Sequence, residues 1–335
     1  MAIAISSDSM TVPKQPTRSN FCCVACGHQR CSRKPVVRAD PQRGALDLFR
    51  CVRCGLIQQH PRDPASQLTA PCPGHQIINE SEASHWARAV QQYVVHLLPW
   101  ESKPPKRLLN LGCGVGHLAA LARRRGWRVI GIDNSPEAVS RAVVNFDLDA
   151  RAGNLARYRS TLPPIDVAFL GDVIEYDLNP AALLEDVRAI LASDGVVCID
   201  TPNWPNRWRK LARARRLGLN ACHVNLFDAG SLGSLLGRSG FSDIQTGSYS
   251  HYGNGAPSVQ SDARVSVQPS PEPTTWRSNR LFNWFKRRNP WTTLKSNLPA
   301  TLDDARRRVS EMACHRVAYT SKHTADNLIA TARLR

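Results

Sequence analysis

The sequence has no long apolar run, and its first residues do not suggest export. No segment of its 335 residues reaches the roughly 18 consecutive apolar residues that a transmembrane helix needs. The first ten residues have neither a basic start nor an apolar stretch, which argues against a secretory signal. We therefore expect a cytoplasmic protein. In that reducing compartment, the 11 cysteines are expected to be thiols or metal ligands rather than disulfides.

Acidic residues are few compared with basic ones. The chain has 44 Lys and Arg residues against 27 Asp and Glu residues, a formal net charge of +17. The excess lies mainly in the flanks, because residues 107–255 carry only +3 while 1–106 carry +6 and 256–335 carry +8. A nucleic-acid partner is compatible with this balance but is not required by it. The hydrophobic fraction of 42% is enough for a real core.

Strand and helix patterns alternate through the middle of the chain. Buried strands are predicted at 107–112, 127–133, 164–170, 195–200 and 241–248, and helices at 116–125, after Ser135, at 180–191 and at 227–238. This alternation predicts a parallel, doubly wound α/β sheet covered on both faces. Apolar residues at helical spacing predict an earlier helix at 84–98, and residues 327–333 predict a terminal strand.

A glycine-rich loop joins the first of these strands to its helix. The loop runs from Gly112 to Gly116, and its glycines let the backbone turn sharply and let a ligand approach closely. Asp133 ends the next strand, where a carboxylate can accept two hydrogen bonds from a ribose diol. The spacing Gly-x-Gly-x-Gly differs from the Gly-x-Gly-x-x-Gly of nicotinamide binding. An ordinary tight turn is the alternative, but the loop, the acid and the alternation together favour a cofactor site.

An ordered set of motifs carries a family resemblance. They are Leu-Leu-Asn-Leu-Gly-Cys-Gly-Val-Gly (108–116), Gly-Ile-Asp-Asn-Ser (131–135), Gly-Asp-Val-Ile-Glu-Tyr (171–176), Ser-Asp-Gly-Val-Val-Cys-Ile-Asp-Thr-Pro-Asn (193–203), His-Val-Asn-Leu-Phe (223–227) and Gly-Phe (240–241). With them the sequence resembles the class I S-adenosylmethionine-dependent methyltransferases that act on small molecules. The resemblance implies a Rossmann-like seven-stranded sheet with an antiparallel last strand, which residues 327–333 fit. Residues 253–299 would then be an insertion before that strand.

The resemblance also implies which residues bind S-adenosyl-L-methionine. The expected contacts are Gly112, Cys113, Gly114 and Gly116 for the methionine part, Asp133 for the ribose with Asn134 beside it, Asn154 and Leu155 for the adenine edge, and Asp172 near the transferred methyl. Two positions depart from the usual pattern. Asn110 stands where an acidic residue is common, and Tyr176 stands where a histidine often follows the glutamate, which removes one candidate base.

Two residues, His223 and Asp172, are candidates for catalysis. A sulfonium methyl is already activated, so transfer mainly needs in-line positioning, and a general base helps only where the nucleophile carries a proton. His223 follows the fifth strand, at the carboxyl edge where ligands bind in open α/β sheets. The alternative for His223 is a packing role in its turn. For Asp172 it is an architectural or cofactor-orienting role.

The knuckle Cys-x-x-Cys-Gly occurs twice, at Cys23 with Cys26 and at Cys51 with Cys54. Four thiolates from two such knuckles form a tetrahedral, closed zinc site, so the sequence predicts a structural zinc rather than a catalytic one. A redox pair is the alternative, and His28 and Cys31 are possible substitute ligands. A cysteine module ahead of such a core resembles bacterial enzymes that methylate sugars or other small metabolites.

These patterns predict four regions and a methyl-transfer activity. They are a disordered tail at 1–20, a zinc-ribbon-like module at 21–61, a linker at 62–83 and a methyltransferase domain at 84–335. The expected acceptor is a small molecule, namely a sugar, a quinone-like ring or a lipid-linked metabolite. The alternative is a methyltransferase of rRNA or another nucleic acid, which the basic run Arg207–Arg216 favours. No pattern indicates an oligomeric state.

The insertion at 253–299 interleaves aromatic and basic residues. Its tryptophans and phenylalanines alternate with arginines and a lysine between Trp276 and Trp291. Such a mixture suits a lid over the acceptor, peripheral contact with an anionic membrane, or stacking on single-stranded nucleic acid. The plain alternative is a surface loop whose aromatic rings pack on the core.

Overall fold

The computed structural model describes residues 20–36, 47–62, 81–101, 106–205, 223–249 and 327–334. The strands are β1 Leu48–Arg50, β2 Ile57–Gln59, β3 Arg107–Leu111, β4 Arg128–Asp133, β5 Ala150–Ala152, β6 Ile165–Gly171, β7 Leu191–Pro202, β8 Asn225–Leu226, β9 Phe241–Tyr249 and β10 Asn327–Leu334. The helices are α1 Glu82–Gln92, α2 His117–Arg124, α3 Pro136–Phe146, α4 Leu155–Tyr158, α5 Pro180–Ile190 and α6 Ala229–Arg238.

Seven of these strands form one sheet in the order β5-β4-β3-β6-β7-β10-β9. Neighbouring strands are parallel from β5 through β4, β3 and β6 to β7. Strand β10 runs antiparallel to both of its neighbours. This confirms the predicted α/β class, the seven strands and the antiparallel strand at the end of the chain. The strand order reverses direction between β3 and β6, so a crevice opens at the carboxyl ends of these two strands.

Side-chain caps set the helix starts. The Ser135 hydroxyl accepts the Ala138 amide at 3.2 Å and Pro136 opens α3, as the sequence predicts. The helix predicted from Phe227 instead begins after Asp228, because that carboxylate accepts the Ser231 amide at 2.7 Å and forms a capping box. Helix α1 is shorter than the predicted 84–98, since its last part continues as a π-helical turn at Tyr93–Leu97.

The core lies on both faces of the sheet. Trp86 and Tyr93 are fully buried on one face with Leu108 and Leu121, where α1 and α2 cover the central strands. On the other face, α5 and α6 bury their leucines against β6, β7 and β10. Burial of this kind stabilises the sheet by about 25 cal/mol per Å² of apolar surface removed from water.

The N-terminal segment is attached to this core through a second, three-stranded sheet. Its order is β1-β2-β8, and β2 pairs antiparallel with β8 so that Ile57 lies opposite Leu226. Phe21 and Phe49 are buried in the same apolar cluster as Leu184 of α5. The described residues 20–36 and 47–62 therefore pack on the seven-stranded α/β fold and share the second sheet with it.

Several predicted features lie outside the described residues. These are the predicted tail at 1–20 apart from Asn20, most of the linker at 62–83, the basic run Arg207–Arg216 and the insertion at 253–299. Within the described part of the chain, no helix combines the length and the apolar character that crossing a membrane requires.

Candidate functional site

The glycine loop leaves β3 and turns into α2 through left-handed backbone. The φ angles are 74° at Gly112, 52° at Gly114 and 92° at Gly116. A Cβ atom at Gly112 would lie 2.5 Å from Cγ2 of Val173, and one at Gly116 would lie 2.8 Å from Cβ of Ala142. The first and last of these glycines are thus required both by backbone angle and by close packing.

Asp133 holds this loop at the end of β4. Its Oδ2 accepts the Gly114 amide at 2.8 Å, and its Oδ1 accepts the Ser135 amide at 2.8 Å. A carboxylate offers about four acceptor positions, so each oxygen keeps one for a ligand. The same side chain can therefore order the empty loop and bind a ribose diol.

One cavity of about 740 Å³ lies at these strand ends, a size within the range of small-molecule sites. Every predicted cofactor residue lines it: Gly112, Cys113, Gly114, Gly116, Asp133, Asn134, Asn154, Leu155 and Asp172. The structure thus brings together residues that are far apart in sequence. The glycines of the loop lie beside the Asp133 carboxylate. This arrangement suits a ligand with an amino-acid part and a ribose, so the residues present fit S-adenosylmethionine.

The far end of the cavity is formed by two short elements that the sequence analysis did not predict. Strand β5 pairs with β4 and leads into Gly153, whose φ of 129° needs glycine. The Asn154 side chain caps α4 by accepting the Arg157 amide at 3.2 Å, and Leu155 is fully buried behind it. This cap fixes the position of the chain where the adenine is expected.

Helix α1 supplies the wall opposite the glycine loop. His85, Arg88, Ala89 and Gln92 line the cavity, at the i, i+3, i+4 and i+7 positions of one helix face. The sequence prediction of α1 rested on its apolar face, and the helix face that lines the cavity was not predicted. The signal that could have found it is the polar stripe at the same helical spacing.

The two catalytic candidates are placed differently. Asp172 lines the cavity with a left-handed φ of 51°, and its amide donates to the Asp200 carbonyl at 2.9 Å. His223 is not among the described residues that line the cavity. Its Nε2 lies 2.9 Å from Oη of Tyr176, which does line it. Tyr176 therefore stands between His223 and the cavity, a contact that the sequence analysis missed.

A buried carboxyl group lies beneath this wall. Glu175 has no exposed surface at its carboxyl, and Oε2 accepts the Thr201 hydroxyl at 2.8 Å. Burial raises the pKa of Glu175 well above its ordinary value, and the nearby carboxylates of Asp172 and Asp200 raise it further. Burial and the neighbouring carboxylates thus both favour the protonated form of Glu175.

Asp200 joins the last strand to the site. The Tyr249 hydroxyl donates to its Oδ2 at 2.5 Å, and the Asn327 amide group donates to its Oδ1 at 3.0 Å. His96 places Nε2 3.3 Å from the same Oδ2. Strands β9 and β10 thus both help to hold a fully buried carboxylate under the crevice.

The two cysteine knuckles converge on one point. The Sγ atoms of Cys23, Cys26, Cys51 and Cys54 all lie within 4.8 Å of one another. Cys23 is 3.5 Å from Cys54, and hydrogen-bond contact with Cys54 lowers the pKa of the Cys23 thiol. Four sulfur donors at this spacing fit a tetrahedral zinc ion. Neither His28 nor Cys31 belongs to this cluster.

Arg62 connects the end of the N-terminal segment to the cavity wall. Both of its terminal nitrogens lie 3.1 Å from Oδ1 of Asn225, and Nη2 donates to the Asp177 carbonyl at 3.0 Å. Burial lowers the pKa of Arg62 to about 10, so the group remains charged at neutral pH. Asn225 in turn donates to the Asp177 carbonyl at 2.7 Å.

Comparison with known proteins agrees with this geometry. Residues 83–246 match a family profile described as a methyltransferase domain. A probable S-adenosylmethionine-dependent methyltransferase from Mycolicibacterium smegmatis is 29% identical over 209 residues, 60% of this chain and 77% of that protein. A ubiquinone biosynthesis O-methyltransferase from Bradyrhizobium diazoefficiens is 29% identical over 115 residues, 32% of this chain and 44% of that protein. The chain thus spans less than half of the second relative.

A solved structure shows the same fold. The plantazolicin methyltransferase BpumL, in complex with SAH, has a TM-score of 0.51 and 16% identity, over 81% of this chain and 93% of that one. The sheet order, the glycine loop and the acid after β4 define a Rossmann-like nucleotide-cofactor site. The profile match over residues 83–246 and the S-adenosylmethionine-dependent methyltransferase among the relatives agree with the class I methyltransferase that the sequence motifs predict.

Proposed function

We propose that this enzyme transfers the methyl group of S-adenosylmethionine to a small molecule. The observation that carries the proposal is the single cavity with the glycine loop and Asp133 on one side and α1 with Tyr176 on the other. In it the loop from Gly112 to Gly116 holds the methionine part and Asp133 holds the ribose. When bound, the cofactor supplies an activated methyl group, and this chain's residues position the acceptor toward it.

The other predicted site residues take roles around the glycine loop and Asp133. Asn154 and Leu155 bind the adenine edge, with Asn134 beside the ribose. Asp172 lies near the methyl group and orients the cofactor. The wall of α1, with Arg88 and Gln92, then faces the space left for the acceptor. A walled space of this kind excludes water, which helps a reaction in which charge is lost at the sulfonium.

The charges that line the cavity favour a small molecule over a nucleic acid. Among the described lining residues, Arg88 is the one Arg or Lys. Three carboxylates, Asp133, Asp172 and Asp177, line the same cavity. Phosphate-rich polymers are bound by clustered Lys and Arg, which this rim lacks among its described residues. The ubiquinone biosynthesis O-methyltransferase among the relatives supports a quinone-like ring as one acceptor class.

Transfer of labelled methyl groups tests this proposal. The purified chain is mixed with S-adenosylmethionine carrying a labelled methyl group and with either small-metabolite or RNA fractions of its source. We expect label in the small-metabolite fraction, and no label with an Asp133→Ala variant. Label confined to RNA would replace the proposal by the alternative, in which the basic run Arg207–Arg216 engages nucleic acid.

We further propose that Cys23, Cys26, Cys51 and Cys54 bind one structural zinc ion and that residues 21–61 form a zinc-ribbon-like module. The convergence of the four sulfur atoms supports this assignment. The site is closed by four protein ligands, so the metal would stabilise the fold without taking part in methyl transfer. A cytoplasmic location suits such a centre, because reduced thiolates are the metal-binding form.

The insertion at 253–299 is a candidate for contact with a lipid-linked acceptor or an anionic membrane surface. Its alternating aromatic and basic residues support this proposal. Deletion of 276–291 is expected to preserve S-adenosylhomocysteine affinity and to abolish methyl transfer. Binding of the intact chain to anionic vesicles that weakens with salt would select the membrane version. If the deletion leaves methyl transfer unchanged and the intact chain does not bind vesicles, the insertion is a surface loop without a role in acceptor binding.

A further inference from the structure

We propose that Tyr176 is a catalytic residue that takes the proton of a hydroxyl acceptor and passes its own phenolic proton to His223. This inference rests on the proposed small-molecule methyl transfer and deepens it, because it restricts the acceptor to one whose nucleophile carries a proton. His223 then acts as the proton receiver and positioning residue behind the tyrosine, without touching the acceptor.

The relative placement of the two side chains carries the proposal. Tyr176 lines the cavity that holds the cofactor loop, whereas His223 does not. Oη of Tyr176 and Nε2 of His223 are 2.9 Å apart, and their ring centroids are 4.8 Å apart. The phenol oxygen of Tyr176 therefore offers a direct route by which a proton leaving an acceptor in the cavity can reach the imidazole. A distance of 2.9 Å is within the reach that proton transfer requires.

The backbone keeps this pair in register. The amides of Val224 and Asn225 both donate to the Glu175 carbonyl at 3.0 Å, so the residues beside Tyr176 and His223 are bonded to each other. The Tyr176 amide also donates to the Val173 carbonyl at 3.1 Å, which closes the turn after β6. Two segments 47 positions apart in sequence are thus held so that their functional side chains meet.

Other groups of the cavity wall are less suited to this task. Asp177 also lines the cavity, and its Oδ1 accepts the Asn179 amide at 2.6 Å, which holds this carboxylate in the turn before α5. Glu175 does not line the cavity among the described residues, and its buried Oε2 accepts the Thr201 hydroxyl. A histidine has an ordinary pKa near 6.5, so it can hold a proton transiently at neutral pH, which an ordinary carboxylate cannot.

The step balances without any further reactant. The acceptor oxygen forms a bond to the methyl carbon with its lone pair, and the electron pair of the broken carbon–sulfur bond stays on sulfur. The acceptor proton moves to Oη of Tyr176 as the phenolic proton moves to Nε2 of His223. The imidazolium then releases its proton to solvent. This order requires that Nε2 of His223 be unprotonated in the resting enzyme, with the proton on Nδ1.

The test compares three variants with the wild-type chain. Tyr176→Phe removes the hydroxyl, and we expect kcat for label transfer into the small-metabolite fraction to fall by roughly 10²–10⁴-fold, with KM and S-adenosylhomocysteine affinity changed less than about twofold. Tyr176→His restores a proton-accepting group, so its kcat should be at least about tenfold higher than that of Tyr176→Phe. Tyr93→Phe is the matched control, because it removes a buried hydroxyl bonded to Trp127 outside the cavity. It should lower thermal stability with turnover kept.

A second readout does not depend on turnover. Nitrogen-15 NMR of the imidazoles, with His223→Gln for assignment, should show Nε2 of His223 as the unprotonated nitrogen and a change in its signal on Tyr176→Phe. A protonated Nε2 that donates to Tyr176 would overturn the proposal, as would full kcat in Tyr176→Phe. A wild-type chain that labels only RNA would instead refute the proposed function, and the NMR result would then decide the Tyr176–His223 pair by itself.

Discussion

Arg62 Nη2 donates to the Asp177 carbonyl oxygen at 3.0 Å and so ties the N-terminal segment to the loop that lines the cofactor cavity. The same guanidinium reaches Oδ1 of Asn225 with both terminal nitrogens. Because Asn225 belongs to β8, which pairs with β2, the contact joins the cysteine segment, the second sheet and the cavity wall. The N-terminal segment, which carries the cysteine knuckles, therefore helps to hold the cavity wall in place.

Replacing Arg62 by Met should weaken this frame. The change leaves the Asn225 and Asp177 oxygens with fewer donors, and an unmade hydrogen bond of a charged group costs about 1–3 kcal/mol of stability. We expect a lower midpoint of urea unfolding and a raised KM for the acceptor, with S-adenosylhomocysteine affinity unchanged. Arg53→Met is the matched control, since Arg53 is exposed on the same segment. Equal effects of the two variants would show that charge alone matters.

Asp133→Ala should weaken cofactor binding. The carboxylate orders the Gly114 and Ser135 amides and is the proposed ribose ligand, so its loss should lower S-adenosylhomocysteine affinity by about 1–3 kcal/mol. Isothermal titration calorimetry measures the difference directly. Asp194→Ala removes an exposed carboxylate at the start of β7 and should bind as the wild type does. Wild-type affinity in Asp133→Ala would remove the ribose assignment.

Cys51→Ser should release the metal and destabilise more than the cysteine segment. We expect elemental analysis to fall from about one zinc per chain to none, because one of four thiolate ligands is lost. Since β2 pairs with β8, the melting temperature of the methyltransferase fold should fall as well. Cys22→Ser is the control, because Cys22 is exposed and lies outside the cluster. Wild-type chain without metal but with an ordered N-terminal segment would contradict the zinc proposal.

Glu175→Gln should flatten the dependence of stability on pH. Burial raises the pKa of Glu175 in the folded chain well above the value of 4.5 expected when it is exposed. Between these two values the folded state holds a proton that the unfolded state has lost, so wild-type stability falls as the pH rises. The glutamine variant has no proton to lose, so its stability should fall less as the pH rises above 4.5. Urea midpoints measured across that range, with Glu137→Gln as an exposed control, give the comparison.

The cofactor side of the site was predictable from the sequence because its signals are local. The glycines at 112–116 and Asp133 lie at a strand end, where backbone angle and sheet topology leave few alternatives. The same is true of the Ser135 cap and of the paired cysteine knuckles. Each of these is a pattern within one turn or one strand.

The rest of the cavity wall was not predictable in the same way, because it depends on contacts between distant segments. The pairing of β2 with β8, the contact of His223 with Tyr176 and the α1 wall all arise from packing across the fold. Strand β5 and helix α4 are too short for periodicity to detect. The sequence alone therefore predicted His223 as a site residue but did not predict its contact with Tyr176.

The position of β10 also has a consequence for biosynthesis. It pairs Asn327 with Pro202 of β7 on one side and with Tyr249 of β9 on the other, so the centre of this half of the sheet is filled by residues translated after both neighbours. Until then β7 and β9 each present an unpaired edge, which invites association with other chains. Bringing strands together over such sequence distances is slow. The nascent chain therefore completes this sheet only after β10 has been translated, and the edges of β7 and β9 depend on protection from aggregation until β10 is inserted.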